Sequence, residues 1–260
     1  MSGIIIIPAR MGSTRFHGKP LAKIKSKEMI YRTWALTQDI GEIDDVIIST
    51  ESEELSSFVK SFGAKAIITS DECTNGTERV HETLLQLDYE PDYLINLQGD
   101  AVLTPPWVIS KLCQVMAEGR ANFATTCVKL ENKDYEFFIN SKKTTPSSGS
   151  TVVFDKDKNA LYFSKSLIPF SRIDNSFAYR HIGIYAYTPD VLKEYLTLKP
   201  SPLELSEGIE VLRALENNIK VKVIEVDYKG RTHWSVDNPE DIEKVEKIIE
   251  QEGELSSLLK

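Results

Sequence analysis

Residues 4–20 read IIIIPARMGSTRFHGKP. The four isoleucines predict a short buried strand, and a loop carrying Arg10, Arg15 and Lys19 among glycines and small polar residues follows it directly. No acidic residue precedes Glu28, although the chain carries a formal net charge of −8. Gly12 and Gly18 let backbone N–H groups approach oxygens, while two guanidinium forks and an ammonium offset negative charge, so the loop is suited to phosphate. It has neither the GxxxxGK[ST] order of a P-loop nor the GxGxxG order of a dinucleotide fold. A solvated charged loop carries the same small-residue punctuation and is the plain alternative.

Outward from this strand, short apolar runs at 45–49, 64–68, 93–97 and 123–128 alternate with amphipathic stretches near 27–39, 52–62, 77–87 and 105–116. In the last of these, Pro105 and Pro106 suit a first helical turn, with Thr104 as a cap. The alternation predicts an α/β fold, a doubly wound and mostly parallel sheet covered by helices. Ligands of such sheets bind beyond the carboxyl ends of the strands. After about Val128 the rhythm changes. Residues 145–150 (TPSSGS) are turn-rich, and STVVFDKDKNALYFS (150–164) reads as two strands around a turn. Residues 180–188 alternate as a strand, helices are expected near 190–198 and 203–217, and a strand at 221–226. WSVDNPEDIEKVEKIIEQ (234–251) reads as strand, turn and closing helix. One domain, 1–260, is expected, with about 155–202 forming a smaller α+β lobe.

Composition excludes several classes. With 260 residues, 41% hydrophobic and 27% charged, the chain can bury a substantial core. No apolar run reaches membrane-spanning length, and the N-terminal run is too short for a signal segment and has no basic residue before it. Cys73, Cys113 and Cys127 lie far apart without metal-type spacing, which fits reduced thiols in a cytoplasm. An acidic chain is a poor nucleic-acid binder.

Single residues read both ways. Asp100 follows a buried strand and a glycine; Asp237 follows an expected strand. If both strands share a sheet, the two carboxylates can hold one hard cation. Alone, Asp100 is equally a turn residue and Asp237 a helix cap before Pro239. Thr77 sits where a helix begins and can be its cap. His181 and Tyr185 fall on one face of a strand, where Tyr185 also reads as a packed aromatic. Glu204 and Glu210 read as solvated helix charges. Asp155-Lys156-Asp157 imitates a glycosyltransferase DxD, but a tight turn between two strands makes it a solvated turn.

The wording of several segments goes further. PARMGSTRFHGKPL (8–21), NGTERV (75–80), INLQGD (95–100), ALYFSKSLIPF (160–170), RHIGIYAY (180–187), SPLE (201–204), LRALE (212–216) and VDNPEDIEKV (236–245) occur in one order along nearly the whole chain. Together they resemble the sugar-activating cytidylyltransferases, most closely the 3-deoxy-manno-octulosonate (Kdo) cytidylyltransferase, or CMP-Kdo synthetase, family. The resemblance implies a nucleotide-diphospho-sugar transferase-like fold. It implies coupling of CTP to a 3-deoxy-ulosonic acid with release of pyrophosphate, dependent on Mg²⁺, in a cytoplasmic homodimer supplying lipopolysaccharide assembly. It gives Arg10, Arg15 and Lys19 to the triphosphate, and Asp100 and Asp237 to the metal. Ala9, Gly12, Asn75, Gly76, Thr77 and Arg79 fall to the nucleotide, with Arg79 at the cytosine carbonyl oxygen. Gln98, Lys165, His181, Tyr185, Glu204 and Glu210 fall to the acceptor sugar, and the smaller lobe to acceptor and dimer contacts.

The chain departs from the family pattern at four places. Ala101 and Val102 follow Asp100 where Glu-Pro is usual, Ser164-Lys165 replaces Ser-Arg, Val211 replaces a glutamine, and Thr151 replaces a strand lysine. A lysine is a point charge where an arginine is a planar fork, so carboxylate recognition changes geometry. The acceptor is therefore Kdo, a modified Kdo or another acidic sugar. A non-catalytic nucleotide- or sugar-binding homologue and a glycosyltransferase on the same fold are the rival readings. The first would lose the metal carboxylates, and the second would need a working DxD.

Overall fold

The computed structural model describes residues 1–13, 15–146, 148–172, 177–255 and 258. The chain divides into two compact units, Met1–Glu118 with Tyr228–Lys260, and Gly119–Asp227.

The first unit contains β1 (Gly3–Pro8), the small hairpin β2 (Lys23–Ile24) and β3 (Lys27–Glu28), α1 (Met29–Ala35), β4 (Asp45–Thr50), α2 (Glu53–Ser61), β5 (Lys65–Ile68), α3 (Gly76–Leu85), β6 (Tyr93–Asn96) and α4 (Pro106–Ala117). Its four long strands pair in parallel in the order β6-β1-β4-β5. Ile4 to Ile7 are all completely buried, because helices cover both faces of the central strand. Phe62, just past α2, stacks on Tyr31 and Trp34 of α1, so these helices share one face. Ser49 of β4 bonds Thr83 of α3 on the other face. The chain leaves β1 towards β4 and β5, then returns to place β6 on the opposite flank. Such a reversal opens a crevice at the carboxyl ends of the two neighbouring strands.

Three expectations here are corrected. The first helix begins at Met29, not near 27, because Lys27–Glu28 pair with β2 across a turn whose central residues, Lys25 and Ser26, have φ of 48° and 68°. That turn geometry favours Asn-Gly, so Lys-Ser carries no signal for it. The cap position of α4 is Pro105, without a side-chain cap, and the Thr104 hydroxyl is buried instead. No strand forms at 234–236. Val236 is anchored by side-chain packing against Ile24, Met29, Val102 and Val245 rather than by a ladder.

The second unit holds β7 (Phe123–Glu131), α5 (Asn132–Thr144), β8 (Ser150–Phe154), β9 (Ala160–Ser164), β10 (Phe177–Tyr187), α6 (Pro189–Leu196), α7 (Pro202–Glu207), α8 (Leu212–Glu216) and β11 (Lys222–Glu225). Its strands run β11-β7-β10-β8-β9, with β11 parallel to β7 and the rest antiparallel. The α/β expectation thus holds, with the parallel order in the first unit and the mixed pairing in this one. Residues 155–202, read from sequence as a lobe, fall inside it. The Asp155–Asn159 turn forms as expected, Asp155 accepting the N–H groups of Asp157 and Asn159. Helix α5 has no apolar period to announce it, since Phe138 is its buried residue. The helix expected at 203–217 is two, broken at Gly208, which closes α7 at φ 62°.

The chain returns to the first unit and ends in α9 (Glu240–Glu252). Arg32 of α1 is almost completely buried and grips the segment after α9. Its Nη2 donates to both carboxylate oxygens of Glu254 (2.8 and 2.6 Å), and its Nη1 donates to the Ile24 carbonyl. Glu254→Ala leaves that guanidinium buried and unpaired, so it should cost about 3 kcal/mol of stability. Urea unfolding with the secondary structure monitored would show it as a lower midpoint at unchanged slope.

Candidate functional site

The carboxyl ends of β1 and β6 open onto a cleft of about 310 Å³ in the first unit. The last rung of β1 is the Ala9 N–H to the Ser49 carbonyl, 2.8 Å. Beyond it the basic loop turns back, closed by the Gly18 N–H to the Met11 carbonyl at 3.0 Å. Gly18 has φ 68°, a left-handed conformation that glycine adopts without strain, and it starts the short 3-10 turn Lys19–Leu21 with Pro20 in its first turn. Lys19 is thereby fixed at the cleft. Arg10, Ser13 and Arg15 also line it.

The loop's own amides face elsewhere. Met11 N–H donates to Glu51 Oε1 at 2.8 Å and Gly12 N–H approaches the same oxygen at 3.4 Å. Gly12 is not among the residues lining the cleft. Glu51 was not singled out from sequence. It stands at the exit of β4, and its other oxygen lies 3.4 Å from Arg79 Nη2. One carboxylate therefore ties the basic loop to the first turns of α3.

Asn75, Gly76 and Arg79 line the opposite wall. The cap of α3 is Asn75 and not Thr77: Asn75 Oδ1 accepts the Glu78 N–H at 2.9 Å, and Glu78 reaches back to the Thr74 N–H at 2.6 Å. Thr77 is buried within the first turn. Gly76 is required by close approach, since a Cβ there would stand 3.2 Å from Pro8 and 3.3 Å from the Gln98 amide. Arg79 lines the cleft but is only 3% exposed, with Nη1 donating to the Thr69 hydroxyl and the Ser70 carbonyl.

After β6, Gln98 donates to Asn96 Oδ1, and the Ala101 N–H closes a turn on the Gln98 carbonyl. Asp100 projects from that turn. Its Oδ2 lies 2.5 Å from Lys19 Nζ. Asp237 reaches the same cleft without a preceding strand, and its Oδ1 accepts from Arg15 Nη2 at 3.0 Å. Asp237 is held by Asp241, a second residue that sequence reasoning missed. Asp241 Oδ2 accepts the N–H groups of Asp237 (3.0 Å) and Asn238 (2.9 Å), and its Oδ1 accepts from Trp234 and Lys244. Burial opposes ionisation of Asp241, but these donors hold its carboxyl below the usual range. Asp237 does not cap α9, whose cap position is Pro239 without a side-chain bond; Asp241, inside the helix, reaches back to those two amides before it.

The other five candidates are carried by the second unit. His181 and Tyr185 share a face of β10, with ring centroids 5.7 Å apart, the strand bulging between Ile182 and Tyr185. His181 is fully enclosed, Nε2 3.0 Å from the Thr125 hydroxyl and Nδ1 3.1 Å from the Ser150 hydroxyl. Burial, then the Lys165 charge, pushes its pKa down to about 3. Burial, then Glu210, pushes the Tyr185 hydroxyl well up. Glu204 is not a solvated charge: it forms the capping box of α7 with Ser201 and a two-pronged pair with Arg213 at 2.7 and 2.6 Å. Glu210 lies between α7 and α8, its carbonyl accepting the Tyr195 hydroxyl. The Lys165 N–H donates to Glu207 Oε2 at 2.7 Å, and Glu207 also accepts the Ser164 hydroxyl. Glu207 is a third carboxylate without a sequence signal.

Among the departures, Ala101 and Val102 are buried, and Val102 belongs to the cluster around Val236 and Val245. Thr151 is buried, its hydroxyl donating to the Ser166 carbonyl at 2.8 Å. Val211 is 2% exposed.

Against known proteins, a family model described as cytidylyltransferase matches residues 4–223. The chain is 43% identical to the 3-deoxy-manno-octulosonate cytidylyltransferase of Maricaulis maris, over 98% of this chain and 100% of that protein. It is 41% identical to the protein of the same name from Thermodesulfovibrio yellowstonii, over 96% of this chain and 98% of that one. The solved structure of a CMP:2-keto-3-deoxy-manno-octonic acid synthetase complexed with CTP superposes with a TM-score of 0.86 at 32% identity, covering 97% of this chain and 100% of the other.

The enclosure of His181 has a measurable consequence. Below pH 6.5 the unfolded chain protonates this imidazole, while the folded chain resists until about pH 3. Stability is therefore lost as pH falls through that window, by about 2 kcal/mol at pH 5 for this one group. Urea unfolding at pH 7 and pH 5 should show a smaller acid loss in His181→Gln than in the wild type, by about that amount.

Proposed function

The chain belongs to the cytidylyltransferase family, and from that premise we propose that it couples CTP to the anomeric hydroxyl of a 3-deoxy-ulosonic acid. The products are the CMP-sugar and pyrophosphate. The observation that carries this reading is the cleft at the ends of β1 and β6, where the cationic side chains of Arg10, Arg15 and Lys19 meet two carboxylates from distant segments. Cations of this kind suit a triphosphate, and the carboxylates suit a magnesium ion. Mg²⁺ characteristically takes one or two carboxylates and completes its shell with water and phosphate oxygens. The donor set fits that habit, since Asp100 and Asp237 line one cleft.

When bound, the ion would neutralise the α-phosphate and lower the proton affinity of the attacking hydroxyl. The chain's own residues supply position and charge. Lys19, Arg15 and Arg10 hold the leaving pyrophosphate, and Asn75 and Gly76 wall the nucleoside end. Arg79 is held by Glu51 and Thr69 beside them. In-line displacement needs no covalent nucleophile. The one cysteine lining the cleft, Cys73, donates to Glu82, and burial with that carboxylate pushes its thiol up to about 12. It stays a thiol at neutral pH.

On the acceptor side we assign Gln98, Lys165, His181, Tyr185, Glu204 and Glu210. The relatives' names favour Kdo, while Lys165 and Val211 in place of the usual arginine and glutamine favour a modified Kdo or another acidic sugar. A homodimer would cover the exposed Leu161, Phe170, Leu203 and Leu205 of the second unit. No described helix is long and apolar enough to cross a membrane, and we place the enzyme in the cytoplasm.

Pyrophosphate release from CTP across a panel of acidic sugars tests the reading directly. It should appear with Kdo or a modified ulosonate and not with neutral hexoses. Asp100→Asn and Asp237→Asn should each lower kcat/KM about hundredfold or more with the fold intact by circular dichroism. Turnover near the wild-type rate in either would refute the metal assignment.

Lys165→Ala should raise the acceptor KM and leave CTP binding nearly unchanged. Lys165→Arg with Val211→Gln, which rebuilds the usual pattern, should shift the ratio of kcat/KM towards plain Kdo over a modified ulosonate. An unchanged ratio would mean that specificity is set by other residues.

A further inference from the structure

In the cleft, the cations assigned to phosphate are paired with the carboxylates assigned to metal. Lys19 Nζ lies 2.5 Å from Asp100, with both side chains largely shielded at 18% and 21% exposure. Arg15 lies 3.0 Å from Asp237, with both side chains more open at 65% and 44%. The pairs join segments far apart in sequence, and three of the four members stand on hydrogen-bonded backbone. Lys19 sits in the 3-10 turn set by Gly18, Asp100 in the turn closed by Ala101, and Asp237 on the N–H groups gathered by Asp241. Arg10 lines the same cleft and has no ion pair among the described residues, so the pairing is selective.

We propose that these crossed pairs make the binding of CTP and of the divalent cation mutually dependent, each ligand releasing the groups that the other needs. A cation arriving alone must take Asp100 from Lys19 and leave an ammonium unpaired in a shielded site. A triphosphate arriving alone must draw Lys19 away and then faces two bare carboxylates. Removing one partner from a shielded pair is costly because the other is left without compensation. When both ligands arrive, the partners are exchanged: carboxylates pass to the cation, ammonium and guanidinium pass to the phosphates, and no charge is stranded. Coupling of this kind is reciprocal, so each ligand raises the other's affinity by one factor. Lys19–Asp100 carries most of it, because the open Arg15–Asp237 pair is screened by water and salt. The inference rests on the nucleotide and metal assignments above and adds the linkage between them.

The test uses the full chain, with Mn²⁺ binding followed by the paramagnetic resonance of the free ion and CTP binding followed by calorimetry in EDTA. Lys19→Met, which removes the partner of Asp100, should bind Mn²⁺ alone about tenfold more tightly than the wild type. Asp100→Asn should bind metal-free CTP more tightly by a similar factor. Arg15→Met should tighten Mn²⁺ in the same direction by less, with the gain fading at high salt, and it keeps the test available if Lys19→Met fails to fold. Arg10→Met should leave Mn²⁺ affinity within about twofold of the wild type, because no pair is broken. Unchanged Mn²⁺ affinity in the folded Lys19 and Arg15 variants, or an equal gain in Arg10→Met, would overturn the proposal. A wild type that binds Mn²⁺ and CTP with no influence of one on the other, after correction for Mn²⁺–CTP complex in solution, would overturn the linkage alone. A wild type that binds no CTP even with Mn²⁺ would overturn the functional reading and this inference with it.

Discussion

Burial of β1 on both faces is the constraint from which the first unit follows. A strand with no wet face must satisfy its backbone within the sheet, and β4 and β6 do so on its two sides. Its isoleucines need cover above and below, which requires helices to be distributed over both faces. Sequential strands filling one flank and then the other place the reversal beside β1 itself. The ladder ends at Ala9, and there the chain emerges between two strand ends with room for a ligand. A basic loop at that position is placed by the core beneath it.

What could be read from sequence was local. The isoleucine run, the charges after it and the turn carrying Asp100 are each written within a few residues, and the structure gathers them. Groups that act across long separations left no trace. Glu51 accepts amides of Met11 and Gly12 some 40 residues away, and Glu207 braces Lys165 from 42 residues away. An isolated glutamate in a polar helix or loop has the same appearance whether it solvates or braces. Other misses have equally plain causes. The β2–β3 turn uses Lys25-Ser26 in conformations that usually require Asn-Gly. Helix α5 buries one phenylalanine, so no periodicity marks it. The segment before Asp237 alternates like a strand, yet Trp234 and Val236 are held by Asp241 and by the core.

The braces also reinterpret the departures from the family pattern. Ala101 and Val102 follow a metal-type aspartate, where substitutions read at first as altered chemistry. Both point into packing, Val102 among Met29, Val236 and Val245, so their identity is set by the core. Thr151 spends its hydroxyl on the Ser166 carbonyl and the Ile168 N–H, a structural duty that a lysine could not perform in a buried position. Lys165 differs from these. Its backbone is pinned by Glu207 while its side chain carries the charge, which leaves it as the departure that bears most directly on recognition of an acid.

The concentration of cations in an acidic protein then has an electrostatic account. A chain of net charge −8 repels extended polyanions at a distance, and a bare cluster of cations would be costly to assemble in a half-shielded cleft. Pairing Lys19 with Asp100 and Arg15 with Asp237 removes that cost in the resting protein. The same pairing offsets the charge of Lys19 and Arg15 towards any anion that comes without a metal ion, and leaves Arg10 outside the pairs. A chelated triphosphate brings both signs of charge. The proposed exchange of partners would favour such a ligand over free phosphate or a nucleic-acid backbone before any contact to the base or the sugar is made.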